Sequence, residues 1–136
     1  KGVKYGEIEA LEKLGTNIGR NIKVKQYGKR CFIETMPSDE DVAMANRGLA
    51  EVTEAICSGK YDLVILDEIN MALYFNLLTL EDVLNLIEIK PDNVELVFTG
   101  RRAEKEIIER ADLVTEMREI KHYFTRGVMA RNGIEK

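Results

Sequence analysis

The sequence predicts an α/β domain with a parallel sheet, and three observations carry that prediction. Two apolar runs, YDLVIL (61–66) and NVELVFTG (93–100), do not alternate with polar residues. Runs of this kind suit strands covered by helices on both faces. Segments with helical spacing and recognisable caps precede, separate and follow them. Strand and helix in alternation place the strands in one sheet. At 136 residues the chain has the length of one domain, spanning 1–136.

Each element has its own signal. GEIEALEKLG (6–15) reads as a short helix stopped by Gly15. NIKVKQYG (21–28) sets Ile22, Val24 and Gln26 against Lys23, Lys25 and Tyr27, the period of a strand with one solvated face. CFIETMP (31–37) is expected to be extended or looped. Ser38 followed three residues later by Asp41 resembles a capping box. Val42, Ala45, Leu49, Val52 and Ile56 then form one apolar stripe, with Gly59 as the stop. Thr79 and Asp82 repeat the capping signal for a helix whose Val83, Leu86 and Ile87 can face the sheet, with Pro91 beyond its end. AEKEIIERA (103–111) reads as a helix, DLVTEMREI (112–120) as a third strand, and the tail as irregular.

Composition narrows the function. A net charge of −4 argues against general nucleic-acid binding, which needs a basic face, although a pocket for one phosphate group remains open. Cys31 and Cys57 match no metal spacing and no disulfide framework, so two reduced thiols in a cytoplasmic protein are expected. No apolar run is long enough to span a bilayer, so no membrane partner is expected. The single histidine, His122, lacks partners at ligand spacing and reads as a solvated or hydrogen-bonded structural residue.

Chemistry concentrates at the strand ends. In α/β sheets ligands bind outside the carboxyl ends of the strands. The first apolar run ends in Asp67-Glu68 and the second in Thr99-Gly100-Arg101, so these residues should meet at one rim. A hydrophobic strand ending in Asp-Glu has the pattern of a Walker B acid, which holds Mg²⁺ beside nucleotide phosphates. The alternative is that Asp67 or Glu68 caps a helix beginning near Ile69. Arg101 and Arg102 could clamp phosphate oxygens or be solvated loop arginines.

Three blocks together, YDLVILDEINMAL, VFTGR and ADLVTEMREIKHYF with the following GV.AR.GIE, resemble the P-loop-type ATP:corrinoid adenosyltransferases. The resemblance covers nearly the whole chain. It implies a three-layer, RecA-like P-loop fold, usually homodimeric. It implies Mg²⁺-dependent transfer of the 5′-deoxyadenosyl group from ATP to a cobalt(I) corrinoid such as cob(I)alamin, with triphosphate released. Glu68 becomes the direct Mg²⁺ ligand and Asp67 its partner carboxylate. Thr99, Gly100 and Arg101 become ATP-phosphate contacts, and a flavoprotein becomes a candidate reductant of the cobalt.

Two departures from the family pattern stand out. The segment that carries aromatic residues near the corrinoid in some relatives reads CFIET here, with Phe32 and Ile33 as an apolar wedge or as ordinary loop anchors. A glycine loop of the GxxxxGK[ST] type does not occur, and KGVKYGE resembles the stretch just after the family's second strand. The chain is therefore expected to lack the family's N-terminal strand and P-loop, and to be inactive alone. Two alternatives stay open: a non-catalytic corrinoid-binding or dimerising fragment, and another P-loop enzyme that hydrolyses ATP.

Overall fold

A computed structural model describes residues 6–17, 22–28 and 36–131. The described residues fall into two compact units, one within 27–114 and one formed from parts of 2–26 and 115–136.

The first unit begins with α2 (Asp39–Cys57), the second helix of the chain. Its start follows the spacing read above. Ser38 accepts a hydrogen bond from the Asp41 N–H at 3.3 Å, and its own N–H donates to Asp41 Oδ2 at 2.9 Å. Two N–H groups without helical partners are thereby satisfied. Past the end of the helix, Gly59 takes φ +68°, a conformation open to glycine without cost.

Strand β1 (Leu63–Leu66) leads through α3 (Ile69–Tyr74) and α4 (Leu80–Ile89) to β2 (Glu95–Phe98), and α5 (Lys105–Arg110) follows. The strands pair in parallel, with Leu63 opposite Glu95 and Leu66 opposite Phe98. The Thr79–Asp82 capping box opens α4 as expected. Ile69, Leu73, Leu78, Val83 and Ile107 form the buried cluster, with Leu66 and Phe98 packed on it from the sheet and Ala45 and Leu49 from α2. Val83 is fully buried, worth about 1.5–3 kcal/mol before side-chain entropy is subtracted.

Burial on both sheet faces is not observed. Leu63, Ile65 and Val97 are 50%, 56% and 40% exposed, while Val64, Leu66, Leu96 and Phe98 point inward. An unbroken apolar run lets both faces be covered, but among the described residues helices cover only one.

The second unit contains α1 (Gly6–Asn17). Gly15 does not stop it: a glycine ends a helix by turning left-handed, and Gly15 keeps helical backbone. Residues 22–28 form no strand, and neither do residues 112–120, where Leu113, Met117 and Ile120 are each more than four-fifths exposed. Neither segment has a strand beside it among the described residues, and a strand exists only through its ladder. A short 3₁₀ turn spans Phe124–Arg126. His122 is exposed, and its Nδ1 accepts a hydrogen bond from the Phe124 N–H at 3.0 Å. No described helix is long and apolar enough to cross a membrane.

Gly48 lies buried inside α2, where alanine would be favoured by about 1 kcal/mol on helix propensity. The ring of Tyr27 explains the glycine: a Cβ at position 48 would sit 2.8 Å from Tyr27 Cγ. That atom is the root of the ring, not a flexible end. Overpacking of this kind costs about 1–3 kcal/mol, more than propensity returns. Gly48→Ala should therefore lower the midpoint of chemical denaturation, and a raised midpoint would show that the ring moves aside freely.

Candidate functional site

The two strands end side by side, and their continuations are tied together. The Thr99 N–H donates to the Leu66 carbonyl at 3.2 Å, one step past the strand pairing. The Thr99 hydroxyl then links both acids: it donates to Asp67 Oδ1 at 2.7 Å and accepts the Glu68 N–H at 2.9 Å. One residue further, the Asn70 N–H donates to the Thr99 carbonyl at 3.3 Å, and Asn70 Nδ2 donates to the Gly100 carbonyl at 3.0 Å. Asp67, Glu68, Thr99 and Gly100 thus meet at one rim, as their places at the strand ends predicted.

Gly100 has both reasons to be glycine. Its φ is +116°, and an added Cβ would lie 3.2 Å from Asn70 Cβ, 3.3 Å from Glu68 Cα and 3.4 Å from Glu68 Oε2. The last contact puts the Glu68 carboxylate beside the turn that follows β2. Two non-glycine residues of the rim also have positive φ, Glu68 at 60° and Arg102 at 63°. Each such residue costs on the order of 1–3 kcal/mol, and strain of this kind collects at ligand sites.

The capping alternative holds for the position of Glu68 but not for its side chain. Glu68 occupies the position before α3, but its side chain makes no cap hydrogen bond. Asp67 is bound instead to Thr99. Both acids are exposed, and the Glu68 carboxylate bonds no described residue. Two adjacent carboxylates supply hard oxygen donors of the type Mg²⁺ takes, and Mg²⁺ keeps its remaining positions for water and phosphate oxygens. No group of three or more acidic, histidine or cysteine side chains capable of holding a metal occurs among the described residues. The two carboxylates fit a cation shared with a substrate.

The adjacent arginines separate in role. Arg102 places its guanidinium carbon 4.1 Å from the centre of the Tyr74 ring, a cation–π contact that occupies it within the protein. Arg101 is exposed and makes no ion pair or hydrogen bond with a described residue, so its forked donors are available to a ligand. Phe32 and Ile33, expected near the corrinoid, lie outside the described residues.

Sequence reasoning missed Asn70 and Tyr74. Asn70 is 5% exposed, the one buried polar residue among the described residues. Its signal was a lone amide in an otherwise apolar helical turn, INMAL. Tyr74 carried no signal, because its arginine partner lies beyond the following strand.

Comparison with known proteins bears on the family of the chain as a whole. The family model of ATP:corrinoid adenosyltransferase BtuR/CobO/CobP matches residues 1–135. A corrinoid adenosyltransferase of Sinorhizobium sp. is 38% identical over 131 residues, covering 96% of this chain and 60% of the relative. Corrinoid adenosyltransferase of Escherichia coli K12 is 30% identical over 141 residues, covering 98% of this chain and 71% of the relative. One from Pseudomonas aeruginosa is 38% identical over 102 residues, covering 75% of this chain and 50% of the relative. The chain thus spans between half and about seven-tenths of the length of these relatives. With a family match along nearly its whole length, this chain belongs to the ATP:corrinoid adenosyltransferase family.

Proposed function

We propose that the protein containing this chain transfers the 5′-deoxyadenosyl group of ATP to a cobalt(I) corrinoid and releases triphosphate. The observation that carries the reading is the rim where Asp67 and Glu68 are tied through Thr99 to the turn bearing Gly100 and Arg101. The names of the relatives supply the substrate class.

The reaction asks little covalent chemistry of the protein. Reduced cobalt in the substrate is the nucleophile; a cobalt–carbon bond forms at C5′ of the ribose as the bond from C5′ to the triphosphate oxygen breaks. No activated serine, cysteine or lysine is required. The protein must orient C5′ and offset charge gathering on the leaving triphosphate. Arg101 suits the second task, with donors that match phosphate oxygens. Thr99 holds Asp67 in place, and the tie to β2 keeps Glu68 beside Gly100. Asp67 and Glu68 would hold Mg²⁺, which when bound neutralises phosphate charge.

The finer architecture belongs to the same reading. We take 1–136 as part of one nucleotide-binding domain with a three-layer RecA-like sheet. The open face of Leu63, Ile65 and Val97 supports it, since a second helical layer would cover that face. A homodimer, a flavoprotein reductant and a cytoplasmic location accompany the reading on family membership alone.

Two variants of the full-length protein test the assignment. Glu68→Gln keeps shape and removes charge, so adenosylation should fall by about 10²-fold with a higher Mg²⁺ requirement. Turnover and Mg²⁺ dependence equal to the parent would remove Glu68 from the site. Arg101→Ala should weaken ATP binding by about tenfold, with a loss that shrinks at high salt, while corrinoid binding holds. If corrinoid affinity falls and ATP affinity does not, Arg101 serves the other substrate. Recovery of orthophosphate in place of triphosphate would identify an ATP-hydrolysing enzyme.

A further inference from the structure

We propose that Asn70 is a positioning residue that sets the peptide between Gly100 and Arg101 to receive a phosphate oxygen of ATP. The proposal rests on the nucleotide reading above and adds a residue and a mechanism to it.

Asn70 is 5% exposed, and its two amide atoms differ in fate. Nδ2 donates to the Gly100 carbonyl at 3.0 Å, while Oδ1 is buried with no partner among the described residues. A stranded acceptor costs about 1–3 kcal/mol. An aliphatic side chain with the same branching and number of heavy atoms, such as leucine, would occupy the position without stranding an acceptor. Gly100 is exposed, so its carbonyl could take a water instead. Stability alone therefore does not account for an amide at position 70. What the amide supplies is direction: it holds the Gly100 carbonyl toward the start of α3.

Peptide planarity carries that direction onward. In a trans peptide the N–H points opposite to the C=O. No cis peptide occurs among the described residues. With the Gly100 carbonyl held by Asn70, the Arg101 N–H points away from Asn70. No described residue accepts a hydrogen bond from that N–H. Gly100, at φ +116°, is the hinge residue best able to let this peptide rotate if the tether is lost. Asn70 thus selects one of the peptide's orientations. The selected one presents a backbone donor on the same residue whose guanidinium is free. A phosphate oxygen would meet both donors of Arg101 together.

The test uses inorganic tripolyphosphate as probe on the full-length protein and two variants. Asn70→Leu removes donor and stranded acceptor together, and the relief of the stranded acceptor offsets part of the cost of its greater bulk. Asn70→Ser, too short to reach the carbonyl, decides the matter if the leucine variant does not fold. In the parent, the Arg101 amide resonance should move as tripolyphosphate is added. In the variants the affinity should fall by about tenfold, equivalent to roughly 1.4 kcal/mol, and the Arg101 amide should lose most of its response. The KM for ATP should rise in step while the KM for the corrinoid stays within about twofold. Parental affinity with a parental Arg101 response in a folded variant overturns the role of Asn70. A parent protein that does not bind tripolyphosphate overturns the phosphate reading itself, before any variant is compared.

Discussion

The Thr99 hydroxyl is the junction on which the site depends. It accepts from one acid's backbone and donates to the other acid's carboxylate, so a single oxygen links both strand ends. Remove it and two things come apart: the direction of Asp67 and the turn at Glu68. The parallel pairing of β1 and β2 exists partly to deliver Thr99 to that place, since Leu66 opposite Phe98 puts residues 67 and 99 at the same height. The packed inner face, with Leu66 and Phe98 on the helical cluster, fixes the height.

The rim is also where the fold carries its strain. Glu68 and Arg102 have left-handed backbone, which only neighbouring structure can hold. The tie to Thr99 holds the first, and the Tyr74 ring sits under the guanidinium of the second. Arrangement and strain here have the same cause. A chain that must aim a carboxylate off the end of a strand cannot also continue smoothly into the helix that follows.

Local signals were legible and distant ones were not. Both capping boxes were readable because donor and acceptor lie three residues apart in sequence. The acids and Thr99-Gly100-Arg101 were readable because strand ends of an α/β sheet share an edge. Asn70 was not, since its partner is a backbone carbonyl, which sequence does not mark. Nor was the pairing of Arg102 with Tyr74, which depends on a left-handed turn that arginine does not advertise. Alternation at 21–28 and apolar residues at 112–120 suggested strands because period describes how a strand would be faced, not whether a neighbour is there to pair. The same gap made the LVIL run look enclosed when one of its faces is open.

Asn70 and the Gly100 carbonyl are 30 residues apart along the chain, and Thr99 is 32 from Asp67. The capping box of helix α2 needs nothing beyond its own segment, but the rim needs the whole crossover closed first. Its contacts carry the loop-closure entropy of that crossover and can be gained only late in folding. The same separation makes the rim vulnerable in reverse. As conditions weaken the fold, the helices can persist while the two strand ends part, so binding capacity and helical content need not disappear together. A chain of this kind would look well ordered to a probe of secondary structure some way past the point where its acids and its turn have lost each other.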